Sequence, residues 1–189
     1  MIRGFAATLV IASLSAAVAA HAQLTAVIKK GDHLINDSVL NVTWADVASP
    51  VYLTWSSAGD PGSAQAWVAS LNTQGYGGFS DWTLATGDGK YTSEHVRVEV
   101  GFGASTSKKA NQLAYLFINE LGNAPGTMAA KFGPFASLTK NQVYWSGTVF
   151  TGATGSAWAF DDRKGYQVNH NQGRRFRAIA VRSGQVSAD

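Results

Sequence analysis

The chain has 189 residues and no cysteine, which excludes disulfides, thiolate metal sites and thiol nucleophiles. Hydrophobic residues make up 46% of the chain and six residues are tryptophan, which is enough apolar material for the core of one domain. The formal net charge is only +3, whereas nucleic-acid binding depends on clustered cations, so nucleic acid is not an expected partner.

The N-terminus has the pattern of an export signal. Arg3 supplies a positive charge, Phe5 to Ala20 is apolar, and Ala20-His21-Ala22 is a small-x-small cleavage site. The apolar run is shorter than the roughly 20 residues that span a bilayer. We therefore expect cleavage of residues 1–22, and a single domain over residues 23–189 that is periplasmic or extracellular and not stably inserted in a membrane.

Two strands and a helix are predicted in the first half of the mature chain. Gln23 to Lys30 and Val39 to Trp44 alternate between apolar and polar residues, as strands do. Gly31-Asp32 and Asn36-Asp37-Ser38 are interpreted as turns. Ser63 to Asn72 has the apolar spacing of a helix, with Ser63 as its N-cap.

The middle of the chain is less regular. Short strands are predicted at Trp82 to Thr86 and, within an excursion, at His95 to Val100. Lys109 to Leu121 carries the apolar stripe of a second helix, which Gly122 ends. An irregular connection is predicted from Asn123 to Asn141.

The last 40 residues predict a meander of four strands, "VYWSGTVF", "SAWAFDD", "GYQVNH" and "RFRAIAVR", with glycines at the turns. Two helices combined with an antiparallel meander indicate the α+β class. The N-terminal strands need a partner, and we expect the C-terminal strand to pair with them and bring the chain ends together.

Several stretches follow one another in the order of a known bacterial family. They are "GDHLINDSVLNVTWADV", "AQAWVASLN", "GYGGFSDWTLAT", "NQLAYLFINELGN", "GPF", "YWSGTVF", "AWAFD" and "AIAVR". In this order they resemble the exported domain of unknown function typified by the C-terminal domain of Lcl, a collagen-like adhesin. The resemblance covers almost the whole mature chain, from about Gly31 to Gly184.

The resemblance implies a C-type-lectin-like domain, in which two helices pack on an antiparallel sheet with a C-terminal strand meander. Formylglycine-generating enzymes have a related fold. The chain departs from the family where "WRLPT" is common, because Thr83 and Ala85 replace the arginine and the proline. The calcium-dependent sugar motifs of true C-type lectins are absent, and so are the cysteines of the enzyme relatives.

Two adjacent acids, Asp161-Asp162, are candidates for a calcium site that would include Asn169 or Asn171 across a hairpin. Neighbouring strand residues point to opposite faces, so two adjacent carboxylates do not easily share a metal. The stretch from Asp161 to Gly165 has turn-forming residues at both ends. A turn is therefore the favoured interpretation.

Catalysis is not favoured. His170 lacks a recognisable nucleophile and orienting acid in the sequence, and Ser146 lacks the surrounding glycines of a nucleophile elbow. His33 and His95 lack the spacing of a local zinc site. Neither catalytic residues nor metal ligands are predicted.

Arg174, Arg175 and Arg177 are candidates for an anionic ligand, because guanidinium makes paired hydrogen bonds to oxyanions. The alternative is a strand whose apolar residues, including Phe176, face one side while Arg175 and Arg177 face the other. In that interpretation Arg177 is a structural residue at the edge of the core.

The aromatic residues divide into two groups. The tryptophans in the family motifs are expected in the core, namely Trp44, Trp67, Trp82, Trp145 and Trp158. Four residues near glycine-rich turns are expected at the surface, namely Tyr76, Phe79, Phe150 and Tyr166.

The sequence thus predicts an exported, non-catalytic binding module without a cofactor, which recognises a glycan or a protein through the loops of a lectin-like scaffold. A sulfated or acidic polysaccharide is the most specific expectation. The predicted ligand-binding residues are Arg174, Arg175, Arg177, Tyr166, His170, Asn169 and Asn171. A structural or self-associating envelope or appendage protein is the alternative, and an enzyme of the formylglycine-generating type is disfavoured by the missing cysteines.

Overall fold

The computed structural model describes residues 24–56, 59–87 and 111–189. Within them the chain is an α+β protein with two helices and a mainly antiparallel sheet of eight strands, so the predicted class is confirmed. The predicted signal at residues 1–22 and the predicted strand His95 to Val100 lie outside the described residues.

The chain begins with three antiparallel strands, β1 (Leu24–Lys29), β2 (Asp32–Asp37) and β3 (Val42–Ala48). The first and third agree with the predicted strands, with shifted ends. The interpretation of Asn36-Asp37-Ser38 as a turn is wrong for Asn36 and Asp37, which belong to β2, and correct for Ser38, where the turn begins. The last four residues of β2 are all buried, so this strand lacks the alternation by which half-exposed strands are detected.

Helix α1 (Ala64–Gln74) forms where it was predicted. The Ser63 hydroxyl accepts a hydrogen bond from the Ala66 amide at 3.1 Å and caps its first turn. Gly75 ends the helix with a φ of 67°, a left-handed conformation that glycine adopts without strain. A 3₁₀ turn (Tyr76–Gly78) and the short strand β4 (Thr83–Leu84) follow.

The second predicted helix differs in type. Its described part is a short helix α2 (Gln112–Ala114) that continues as a π-helical segment, Tyr115–Glu120. Leu116 and Phe117 are fully buried, as the apolar stripe predicted. Gly122 has a φ of 67° and ends the segment. The connection that follows is irregular, as expected.

The C-terminal part contributes β5 (Val143–Val149), β6 (Ser156–Asp161), β7 (Tyr166–Asn171) and β8 (Arg177–Ser183). The strand order is β1-β2-β3-β8-β5-β6-β7, and β4 also pairs with β8. The predicted meander is therefore correct for β5 to β7 and wrong for β8. Strand β8 enters the centre of the sheet, antiparallel to β3 and parallel to β5.

The two ends of the described chain meet, as predicted from the pairing of the N-terminal strands with β8. The Lys30 amide donates to the Asp189 carboxylate at 2.6 Å, and the Lys29 ammonium lies 3.1 Å from the same carboxylate. The contacts join the turn after β1 to the last residue of the chain.

Strand β8 is buried on both faces and separates two apolar clusters. Ile179 and Val181 belong to the cluster with the π-helical segment. Ala178 and Ala180 belong to the cluster with helix α1. The tryptophans predicted in the core are at most 3% exposed, except for Trp67, which is partly buried. No helix within the described ranges is long and apolar enough to cross a membrane.

Candidate functional site

An open groove of about 560 Å³ lies beside the start of β8. One wall is the loop after β3, with Pro50, Val51 and Tyr52. The other wall carries Arg175 and Arg177. The fold thus brings two of the three predicted arginines together with an aromatic side chain that the sequence interpretation had not selected.

The two walls are fixed to each other by backbone hydrogen bonds. The Leu53 amide donates to the Phe176 carbonyl at 2.7 Å, and the Phe176 amide donates back at 2.9 Å. The Trp145 indole donates to the Leu53 carbonyl at 2.8 Å from below. The Ser49 hydroxyl accepts the Ala178 amide at 3.0 Å. The groove therefore rests on buried groups of the sheet.

Arg177 is held in place within its wall of the groove. Its guanidinium lies 4.7 Å from the centre of the Tyr52 ring, a cation–π distance. It also donates to the Ser49 carbonyl. The Tyr52 hydroxyl donates in turn to the Gln142 side-chain oxygen at 3.0 Å. The interpretation of Arg177 as a residue at the core edge and the ligand hypothesis are thus compatible.

The groove exposes apolar side chains together with a cationic one. Val51 is 57% exposed and Tyr52 is 47% exposed, and Arg175 is also exposed. Among the residues that the structure describes, those lining the groove include no acidic side chain. The pKa of Asp60 is lowered by hydrogen bonds from Ser56, Gly62 and Thr54 and also by the charge of Arg175.

The other polar residues predicted for the site do not join the groove. Arg174 is exposed, and its amide donates to the Asn171 carbonyl at 2.9 Å. The Asn171 side chain accepts the Gly173 amide at 2.9 Å, so it stabilises the turn after β7. Asn169 is partly buried and pairs with Trp158 in the sheet.

His170 packs beside an aromatic residue that precedes β8. Its ring centre lies 4.8 Å from that of Phe176. Burial lowers the pKa of His170, and the positive charge of Arg174 lowers it further. The imidazole is therefore a packing group beside Phe176 and is disfavoured as a cation.

The prediction of surface-exposed rings is wrong for Tyr166 and Phe150, which are 5% and 9% exposed. Tyr166 is the first residue of β7 and pairs with Asp161, and the Lys164 ammonium lies 5.9 Å from its ring. Phe150 packs edge-on against Trp158 at 4.9 Å.

Asp161 and Asp162 stand at the turn between β6 and β7, as predicted, but both are buried. Arg163 donates two hydrogen bonds to the Asp161 carboxylate, each at 2.7 Å. Asp162 accepts the Gln142 amide at 2.6 Å through Oδ1. Its Oδ2 atom has no hydrogen-bond partner within the described part of the chain. The same part contains no cluster of three or more acidic or histidine residues that could hold a metal ion.

Burial raises the pKa of Asp162 to about 6. The folded state thus retains a proton that the unfolded chain releases near the ordinary aspartate pKa of 3.8. As the pH rises from 4 to 6, the wild-type free energy of unfolding should therefore fall by about 2 kcal/mol relative to that of Asp162→Asn. Urea denaturation at a series of pH values measures this difference, and parallel profiles for the two proteins would contradict it.

Comparisons with protein-family models, with curated proteins and with solved structures each found no match to this chain. The resemblance to the Lcl C-terminal domain stays a prediction from the motifs.

Proposed function

We propose that the chain is an exported, non-catalytic binding module on a C-type-lectin-like scaffold, and that the groove binds an acidic group of a glycan or protein ligand. The observation that carries the proposal is the pairing of Arg175 and Arg177 with the exposed ring of Tyr52 in one groove. The strand meander, the N-terminal strands closed by β8 and the family motifs support the scaffold.

The chemistry of the groove suits a ligand that combines an oxyanion with an apolar face. Guanidinium groups donate paired hydrogen bonds to sulfate or carboxylate oxygens. Arg177 already stacks on Tyr52 and donates to a carbonyl, so it is preorganised, and ordering it on binding costs little conformational entropy. Val51 and the Tyr52 ring offer an apolar surface to the face of a sugar ring or to an apolar side chain.

The absence of a catalytic role is part of the proposal. The Ser146 hydroxyl is fully buried and donates to the Trp158 carbonyl at 2.9 Å, so it is unsuited to attack a substrate. His170 packs against Phe176. The described residues that line the groove include no nucleophile activated by a base.

Binding to a sulfated polysaccharide tests the proposal. The protein should be retained on a heparin column in low salt, and Arg175→Ala should weaken affinity for a heparin oligosaccharide about tenfold, as expected for one charge-assisted hydrogen bond. Tyr52→Ala should reduce affinity similarly. Arg174→Ala is the matched control, because it removes an exposed arginine outside the groove, and it should change affinity less than about twofold.

Equal losses for Arg174→Ala and Arg175→Ala would show that retention reflects general charge and would contradict the assignment to the groove. If the protein is not retained on the heparin column, a glycan array with neutral and carboxylated sugars tests the glycan hypothesis independently of sulfate.

Self-association is the second candidate function, and the exposure of Val51 and Tyr52 favours it. Exposed apolar side chains next to arginines are common at the centres of protein interfaces. Sizing chromatography of wild type and Val51→Asp separates the two candidates. An oligomer that Val51→Asp dissociates, without glycan binding by either protein, would favour self-association.

A further inference from the structure

Gln142 contacts both the Tyr52 hydroxyl at the groove and the buried acid Asp162 at the β6–β7 turn. Its side-chain oxygen accepts the Tyr52 hydroxyl at 3.0 Å, and its side-chain nitrogen donates to the Lys140 carbonyl at 3.2 Å. These two bonds orient the amide with its oxygen toward the ring. Tyr52 is therefore held at its hydroxyl by Gln142 and at its face by Arg177.

The backbone of Gln142 is held by Asp162. The Gln142 amide donates to Asp162 Oδ1 at 2.6 Å, and the Asp162 amide donates to the Gln142 carbonyl at 3.0 Å. Asp162 is in turn fixed by the Ala129 amide, which donates to its carbonyl at 2.7 Å. A continuous series of contacts thus runs from the buried carboxylate through Gln142 to the groove.

We propose that Gln142 is a positioning residue for the groove, that Asp162 anchors it, and that protonation of Asp162 loosens the anchor and weakens ligand binding. The consequence for binding rests on the proposed function. The coupling between Asp162 and the Tyr52 ring is a property of the free protein.

The charged state of Asp162 is set by its surroundings. Burial raises its pKa, the Gln142 amide lowers it, the Asp161 carboxylate raises it, and the Arg163 guanidinium lowers it. On β5 the phenol of Tyr144 faces it, and the charge of Asp162 contributes to the raised pKa of that phenol. The balance leaves Asp162 with a pKa of about 6, so it is mainly ionised at pH 7.5 and mainly protonated at pH 5.

Protonation changes the strength of the anchor. A hydrogen bond from an amide to a carboxylate is roughly twice as strong as one to a neutral acceptor. The neutral acid also carries a hydroxyl proton at a buried site, where Oδ2 has no partner among the described residues. Gln142 therefore loses part of its support at pH 5, and its amide holds the Tyr52 hydroxyl less firmly.

The first test needs no ligand. The ring signals of Tyr52 are followed by NMR from pH 4.5 to 8 in wild type, Asp162→Asn and Gln142→Ala. We expect a shift of the wild-type Tyr52 signals with a midpoint near pH 6 that both variants lose. Gln172→Ala is the matched control, because it removes a partly buried glutamine that donates to the Ser156 carbonyl at a different turn.

His170→Gln must retain the midpoint, which shows that this imidazole, whose pKa is lowered by burial, is not the group responsible. A Tyr52 signal without a midpoint near pH 6, or one that persists in Asp162→Asn, would overturn the coupling. Circular dichroism and the unfolding midpoint of each variant establish that the comparison is between folded proteins.

The second test measures the affinity for a heparin oligosaccharide at pH 5 and pH 7.5. The sulfate groups and arginines stay ionised at both pH values, so they do not cause a change in affinity, and the comparison with Asp162→Asn isolates the contribution of Asp162. We expect binding three- to tenfold weaker at pH 5 in wild type, about equal affinities at the two pH values in Asp162→Asn, and a reduced dependence in Gln142→Ala.

The two proposals fail in different ways. If wild type does not bind the oligosaccharide, this acidic-ligand form of the proposed function is overturned, and the NMR titration alone decides the coupling. If wild type binds and Arg175→Ala weakens binding, but neither Asp162→Asn nor Gln142→Ala changes affinity or its pH dependence, the role of Gln142 in positioning the groove is overturned.

Discussion

Gly165→Ala should lower the free energy of unfolding by at least about 3 kcal/mol, through a steric clash added to backbone strain. Gly165 has a φ of 64°, and an added Cβ would clash with the Thr127 carbonyl oxygen. The same Cβ would lie 3.1 Å from the Ala124 carbonyl oxygen and from the Gly126 amide nitrogen. These are backbone atoms, so no side chain can rotate away to relieve the contact.

Gly155→Ala is the matched control for this substitution. Gly155 stands in the turn between β5 and β6 with a φ of 71°, and the nearest atom to an added Cβ is 4.0 Å away, on the Asn171 side chain. Gly155→Ala should lower the free energy of unfolding only by the conformational strain of alanine at this φ, about 1 kcal/mol. Chemical denaturation of both variants measures the difference. Equal losses in the free energy of unfolding would show that residues 124–127 do not pack tightly against Gly165.

The parts of the fold that the sequence could predict are those with a simple period or a terminal signal. Helix α1 was recognisable from its spacing and from Ser63, which forms the expected cap. Strand β2 was not, because Leu34 and Ile35 are both buried and its polar residues have partners inside the protein. Asn36, for example, accepts the Thr43 hydroxyl at 3.0 Å, so a residue typical of turns lies within a strand.

The position of β8 was predictable only in part. Pairing with the N-terminal strands followed from their need for a partner, and it is confirmed by the β3–β8 register. The parallel pairing with β5 joins Tyr144 to Arg177 and Trp145 to Ala178. Such a long-range contact has no local sequence signal, and a hairpin with β7 was the simpler expectation.

The candidate site shows the same limit. Arg175 and Arg177 were predicted from the chemistry of the guanidinium group, which the sequence shows without knowledge of the fold. Tyr52 lies more than 120 residues away in the sequence, in a proline-containing loop, and long-range contacts such as the bridge between Leu53 and Phe176 place it beside them. Pro50 is typical of a loop, but the sequence does not show which element a loop residue contacts.

Asp37→Ala should lower the free energy of unfolding by about 3 kcal/mol, because several buried donors lose one shared acceptor. Asp37 is fully buried at the end of β2. Its carboxylate accepts the Trp44 indole at 3.1 Å, the Leu40 amide at 2.8 Å and the Val39 amide at 3.1 Å. Alanine leaves the indole N–H unpaired inside the apolar cluster and opens the turn that leads into β3.

Asp37→Asn separates the two roles of this carboxylate. One amide oxygen can still accept the Leu40 and Val39 amides, whereas the amide nitrogen would face the Trp44 indole N–H as a second donor. The free energy of unfolding of Asp37→Asn should lie between those of wild type and Asp37→Ala, and the chemical shift of the Trp44 indole proton should change. The result would assign the cost of the indole contact separately from that of the turn.

Asp81→Ala is the control for the removal of a carboxylate as such. The Asp81 side chain is 55% exposed and forms a paired contact with Arg182, whose two donor nitrogens lie 2.8 and 3.1 Å from its oxygens. Exposed ion pairs contribute little, so its loss should cost less than about 1 kcal/mol. If urea denaturation gives Asp37→Ala and Asp81→Ala the same free energy of unfolding, the buried hydrogen bonds of Asp37 do not stabilise the fold. A difference of about 2 kcal/mol or more would show that the buried hydrogen bonds of Asp37 to the Trp44 indole and to the turn amides stabilise the fold.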